Sequence, residues 1–183
     1  MTFVPADAGP VLTGLARGAI SRALGLPADL PDAEWLSADG ASFVTLTRNG
    51  QLRGCIGSLV ASRPLRDDVI DNAQLAALND PRFLPLSARD LPAIAIEVSV
   101  LSPSEPMEFT SHEDALAQLR PGIDGVIMSA GRRRATFLPQ VWDELASPEL
   151  FMAHLMRKAG LSPTYWGDDV RLSRYTVTAF HET

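Results

Sequence analysis

The sequence predicts an α+β fold of two packed lobes, each running roughly helix, β-hairpin, helix, strand, with mostly antiparallel sheets. Three observations predict it. Two turn signals, Asn49-Gly50 and the glycine-arginine stretch at Gly131, each separate a pair of strand-like runs. Segments of helical periodicity precede and follow each of these hairpins. Neither half has the strand–helix–strand alternation that a purely parallel sheet needs. The order of elements implies one domain over residues 1–183, made of pseudo-repeat lobes of approximately 1–105 and 106–183. The duplication is one of pattern, since no residue-level repeat accompanies it.

The first helix is expected from about Ala8 to Gly25. Leu12, Leu15, Ala16, Ala19, Ala23 and Leu24 recur on one face, with Asp7 as N-cap and Gly25 as stop. A proline-rich acidic loop follows. "ASFVTLT" and "QLRGCIG" then form a hairpin about Asn49-Gly50. A helix over Leu65–Leu78 has Pro64 at its entry and Asp67 and Asp68 at the positive end of its dipole. Ser87 and Asp90 mark a short capped turn, and "AIAIEVSVL" reads as a strand with Ile94, Ile96, Val98 and Val100 on one face. In the second half, Ser111 with Asp114 caps a helix to about Leu119. "GVIMS" and "RATFL" make the second hairpin, and "QVWDEL" is a single helical turn. Ser147-Pro148 opens a helix that stops at Gly160, and "VRLSRYTVTAF" closes the chain as one strand.

Composition narrows the function classes. The 183 residues are 46% hydrophobic and 21% charged, the balance of an ordinary globular chain. The net charge of −6 opposes nucleic-acid binding, and "GRRR" at Gly131–Arg134 lacks the interleaved aromatics that stack on single strands. All 16 basic residues except Lys158 are arginine, a bias best explained by nucleotide composition, so arginine count carries no function. One cysteine excludes an internal disulfide and fits a cytoplasmic setting. The first residues have no signal-peptide pattern, and no uncharged run approaches the ~20 residues of a membrane span. There is no phosphate-cradling loop and no metal-ligand spacing; no metal and no cofactor are predicted.

The chemistry concentrates at Cys55. Strand alternation places Leu52, Gly54 and Ile56 on one face and Arg53, Cys55 and Gly57 on the other. A guanidinium near a thiol favours thiolate, so Cys55 and Arg53 are the candidate catalytic residues. Gly54 and Gly57 permit a bulge or the close approach of a ligand or another backbone. Against this stands the structural reading, in which a lone strand cysteine is a small buried hydrophobe. Glu97, a charge within an apolar strand, either pairs with Arg53 or faces solvent. His112, His154 and His181 have no motif spacing to Cys55, so sequence identifies no base.

"LRGCIGS" at Leu52–Ser58 resembles the signature of the AMMECR domain family, whose prokaryotic members are called AmmeMemoRadiSam system protein A. The resemblance extends through "FVTLTRNGQLRGCIGSL", "RPLRDDVIDNA", "DPRFLPLSARDLP", "IEVSVLSP", "LRPGIDGVI", "TFLPQVW" and "HLMRKAGL", in family order from about Thr13 to Phe180. In the last motif Met156 stands where many related sequences carry cysteine, so a second thiol is missing. The resemblance implies two packed lobes, with Leu52, Arg53, Gly54, Cys55, Ile56, Gly57, Ser58 and Glu97 as motif and cleft residues. It also implies a modification pathway shared with Memo-like and radical-SAM proteins. The alternative is a non-catalytic interaction module in which the signature is structural.

Overall fold

A computed structural model describes residues 4–183. Along the chain run α1 (Gly9–Ala23), β1 (Ser42–Arg48), β2 (Gln51–Gly57), α2 (Leu65–Leu78), β3 (Ile94–Leu101) and β4 (Glu105–Pro106). Then come α3 (His112–Gln118), β5 (Gly125–Ala130), β6 (Arg133–Phe137), α4 (Pro148–Lys158), β7 (Val170–Tyr175) and β8 (Val177–His181). These residues divide into two units. One holds the chain up to Ser102 together with Thr178–Thr183, and the other is Pro103–Val177.

Local sequence signals produce these elements where they were expected. Asn49 and Gly50 both take left-handed backbone, φ 51° and 75°, as a two-residue type I′ turn requires. Ser111 and Ser147 accept hydrogen bonds from the backbone N–H of Asp114 and Leu150, 3.1 and 3.2 Å, satisfying orphan donors at two helix starts. Gly25 and Gly160, both at φ 77°, follow the ends of α1 and α4. At the start of α1 the expectation fails: the cap position is Ala8, with no side-chain bond, and Asp7 lies outside it.

The sheet of the first unit has the order β2-β1-β3-β8, and that of the second β4-β7-β5-β6. β1 pairs antiparallel with β2 and β3, and β5 with β6 and β7. Read from its other edge, the second order becomes β6-β5-β7-β4, which repeats the first strand for strand. The closing run differs from expectation. It is two strands rather than one, and β8 joins the first unit's sheet instead of the second's. Alternation along a strand identifies its faces but not the sheet that receives it.

Helix α1 buries Leu12, Leu15, Ala16, Ala19 and Ile20, and α2 buries Leu65, Val69, Ala73 and Ala76; both join a core with Val44, Leu46, Ile96 and Val98. The helices therefore cover one face of the sheet, and the residues alternating with these strand positions point to the other face. Beneath the hairpin, the buried carboxylate of Asp68 accepts bonds from Ser42 N–H and O–H (2.8 and 2.7 Å). It also accepts from Ser58 O–H (2.6 Å) and from Arg63 Nε and Nη2 (both 3.0 Å). Asn72 donates to it at 2.9 Å. A carboxylate this buried is tolerable only because its lone pairs are so fully used.

The second core gathers Val126, Met128, Phe151, Met152, Leu155 and Trp142. Trp142 stacks on Phe151, ring centroids 3.8 Å apart, and donates its indole N–H to Asp124 O at 2.7 Å. Among the described residues, no helix is long and apolar enough to cross a membrane.

Candidate functional site

β2 is the edge strand of its sheet, and its outer backbone is covered by the loop that follows α2. Cys55 N–H donates to Asp80 Oδ2 at 2.9 Å, and Arg82 Nη2 donates to Cys55 O at 3.3 Å. Asp80 is only 4% exposed and also accepts from Arg82 N, Nε and Nη2 at 3.1, 3.0 and 2.7 Å. The Arg82 guanidinium, aided by the Cys55 and Arg82 amides, holds the Asp80 carboxyl far below the usual range against the opposing effect of burial. Asp80, in turn, raises Arg82.

Alternation placed Arg53 beside Cys55. The pairing of β1 with β2 slips between Leu46 and Thr47, which oppose Gly54 and Leu52, and Arg53 is left without a partner on β1. Its Nη2 donates to Leu84 O at 2.6 Å, and its guanidinium carbon is 5.7 Å from the Phe83 ring centroid. Nη1 is buried with no hydrogen-bond partner among the described residues. The guanidinium bonded at Cys55 is that of Arg82 rather than Arg53.

Most of the Leu52–Ser58 heptad is committed to packing. A Cβ on Gly54 would overlap the Ala76 carbonyl oxygen of α2, and one on Gly57 would overlap the Phe43 ring. Ile56 packs against the first core, and Ser58 belongs to the Asp68 network. Leu52 is 43% exposed.

The Cys55 thiol has a different setting. Thr45 lies opposite Cys55 on one side and opposite Glu97 on the other. Directly opposed residues share a face, so the three form a row on the face away from α1 and α2. Cys55 Sγ and Thr45 Oγ1 are in hydrogen-bond contact at 3.4 Å. Glu97 Oε1 accepts from Ser99 O–H at 3.0 Å, and Oε2 lies 3.3 Å from His181 Nδ1. Glu97 therefore engages Ser99 and His181 instead of orienting Arg53, and it is 29% exposed on the polar face. His181, on β8, is three strands from Cys55, about 14 Å at usual strand spacing, beyond the reach of a general base. His112 packs against Trp166 in the other unit, the rings tilted at 35°, and His154 lies in α4. Among the described residues, no three His, Cys, Asp or Glu side chains converge as a metal site.

Sequence reasoning found Cys55 and Glu97 but missed Thr45, Asp80, Arg82 and His181. Asp80-Pro81-Arg82 carried a local signal, an aspartate two residues before an arginine at a helix end. Thr45 and His181 carried none, because only strand register brings them to the row.

The AMMECR1 family model matches residues 13–180. A protein of Methanothermobacter thermautotrophicus is 41% identical, the match covering 96% of this chain and 95% of that one. A Thermofilum pendens protein is 34% identical, covering 100% and 93%. The crystal structure of an uncharacterized protein from Pyrococcus horikoshii matches with a TM-score of 0.82 at 33% identity, over 98% of this chain and 94% of that one. With a solved neighbour of the same α+β fold and a family match over nearly its whole length, the chain belongs to the AMMECR1 family.

Proposed function

We propose that Cys55 is a functional thiol, displayed on the polar face of the first unit's sheet and covalently modified there by chemistry that a partner protein supplies. The observation that carries this reading is the row Cys55–Thr45–Glu97–His181. Packing accounts for Gly54, Gly57 and Ser58, whereas the half-buried Cys55 thiol meets the Thr45 hydroxyl on a face rich in polar groups. Among the described residues no general base lies within reach of Cys55, which argues against a self-sufficient cysteine nucleophile. Arg82 is ion-paired to Asp80 at 2.7 Å and committed to the loop that covers β2. These points fit a modification pathway with Memo-like and radical-SAM proteins, the association that the family resemblance carries. The setting is cytoplasmic in this reading.

The test is co-expression with such partners, followed by intact-mass measurement and iodoacetamide labelling. The expected result is an adduct at Cys55 that disappears in Cys55→Ser, with native labelling within a few fold of an unstructured thiol at equal pH. An unmodified mass together with labelling slowed a hundredfold or more overturns it. A second reading, a non-catalytic interaction module, is favoured by the packing account of the heptad. It predicts a stable complex with a partner that Cys55→Ser leaves intact.

A further inference from the structure

We propose that the second unit carries a binding groove for a short basic peptide segment, separate from the Cys55 face and independent of its function. The groove has a volume of about 870 Å³ and lies between the chain leaving β4 and the loop entering β7. That volume is at the upper end of what a drug-sized ligand fills, and several times what one inserted side chain needs.

One wall is aromatic. The Trp166 ring lies 4.4 Å from that of His112 and 5.5 Å from that of Phe109, centroid to centroid. All three side chains are half-buried, so the wall is packed from behind yet reachable from the groove. The rim is acidic: Glu108, Glu113 and Asp168 all line it and all are exposed. None of the three is ion-paired among the described residues. Arg171, the one lining guanidinium, folds back onto the carbonyls of Asp168 and Val170 at 2.8 and 2.9 Å. Glu113 is engaged at the start of α3 by the Ser111 hydroxyl and its own backbone N–H, which leaves Glu108 and Asp168 as the rim carboxylates, against Arg171 committed to its own loop.

Arginine and lysine combine an apolar stem, which aromatic surface attracts, with a cationic head, which free carboxylates attract. The groove offers both at once. Its volume, several times that of one side chain, selects a peptide segment over a free amine.

The test uses the full chain and indole ¹H–¹⁵N resonances. Three tryptophans give three signals, and Trp166→Phe assigns the reporter. The probe is acetyl-Gly-Arg-Gly-Arg-Gly-amide. The expected result is a saturable shift of the Trp166 signal with Trp35 and Trp142 unmoved, and binding at least tenfold weaker for the citrulline version of the peptide. Combining Glu108→Gln and Asp168→Asn is expected to weaken binding at least tenfold. The Trp142 signal, from an indole bonded within the core, reports that this variant is folded. The citrulline comparison uses unaltered protein and stays decisive if the variant unfolds. No saturable shift at millimolar peptide, or equal binding of the citrulline peptide, overturns the proposal. Agmatine binding as tightly as the peptide overturns the peptide assignment.

Discussion

Gly54 is the residue of the signature with the least freedom. Any side chain there meets the backbone of α2 at Ala76, whereas one at Gly57 meets a side chain, the Phe43 ring. Gly54→Ala is therefore expected to cost about 1–3 kcal/mol by overpacking, and more than Gly57→Ala, as read from urea denaturation midpoints. A close approach at these glycines was legible in the sequence; the identity of what approaches was not, because α2 follows β2 by a loop whose path is tertiary. Asp80 makes a second prediction at this scale. Its carboxyl is depressed in the folded protein, so its contribution to stability is present above the ordinary aspartate value of about 3.9. That contribution is lost as pH falls toward the depressed native value. Asp80→Asn is expected to lower stability at pH 7 and to flatten the decline below pH 4, measured by denaturation at a series of pH values.

Elements set by neighbouring residues were readable, and those set by distant partners were not. The Asn49-Gly50 turn and the Ser111 and Ser147 caps depend on contacts within four residues, and each forms as expected. Ser147→Ala, which removes the bond to Leu150 N–H, is expected to cost about 1 kcal/mol and to lower the thermal midpoint accordingly. The slip beside Arg53 is a different matter. Alternation within β2 assumes an unbroken ladder, and the ladder's register is decided on β1. That single irregularity moved Arg53 to Leu84 and Phe83, leaving Arg82 as the arginine bonded at Cys55. The same non-locality hid the polar row, in which Cys55, Thr45, Glu97 and His181 come from four strands.

At the scale of the molecule, the two antiparallel sheets were legible from element order as a hairpin in each half, while the sheet that receives the closing strand was not. β4 leaves β3 to pair with β7, and β8 leaves β7 to join β3's sheet. The end of the chain is fastened to the start by Arg17, whose guanidinium pairs with Glu182 and donates to Ile94 O at 2.6 Å. Glu182 N–H donates to Ile96 O at 3.0 Å. Glu182→Ala is expected to speed hydrogen exchange at the outer edge of β3 and leave β5 amides unchanged, which residue-resolved exchange measures directly.

The placement of β8 also bears on how the protein is made. Leu101 ends β3 and Val177 begins β8, so the first sheet waits for a strand translated 76 residues after its own third strand. During that interval the β3 edge is an unpaired template on a growing chain, open to pairing with another nascent copy. Synthesis therefore finishes nearly all of the second unit's sequence before the first unit's sheet receives its fourth strand.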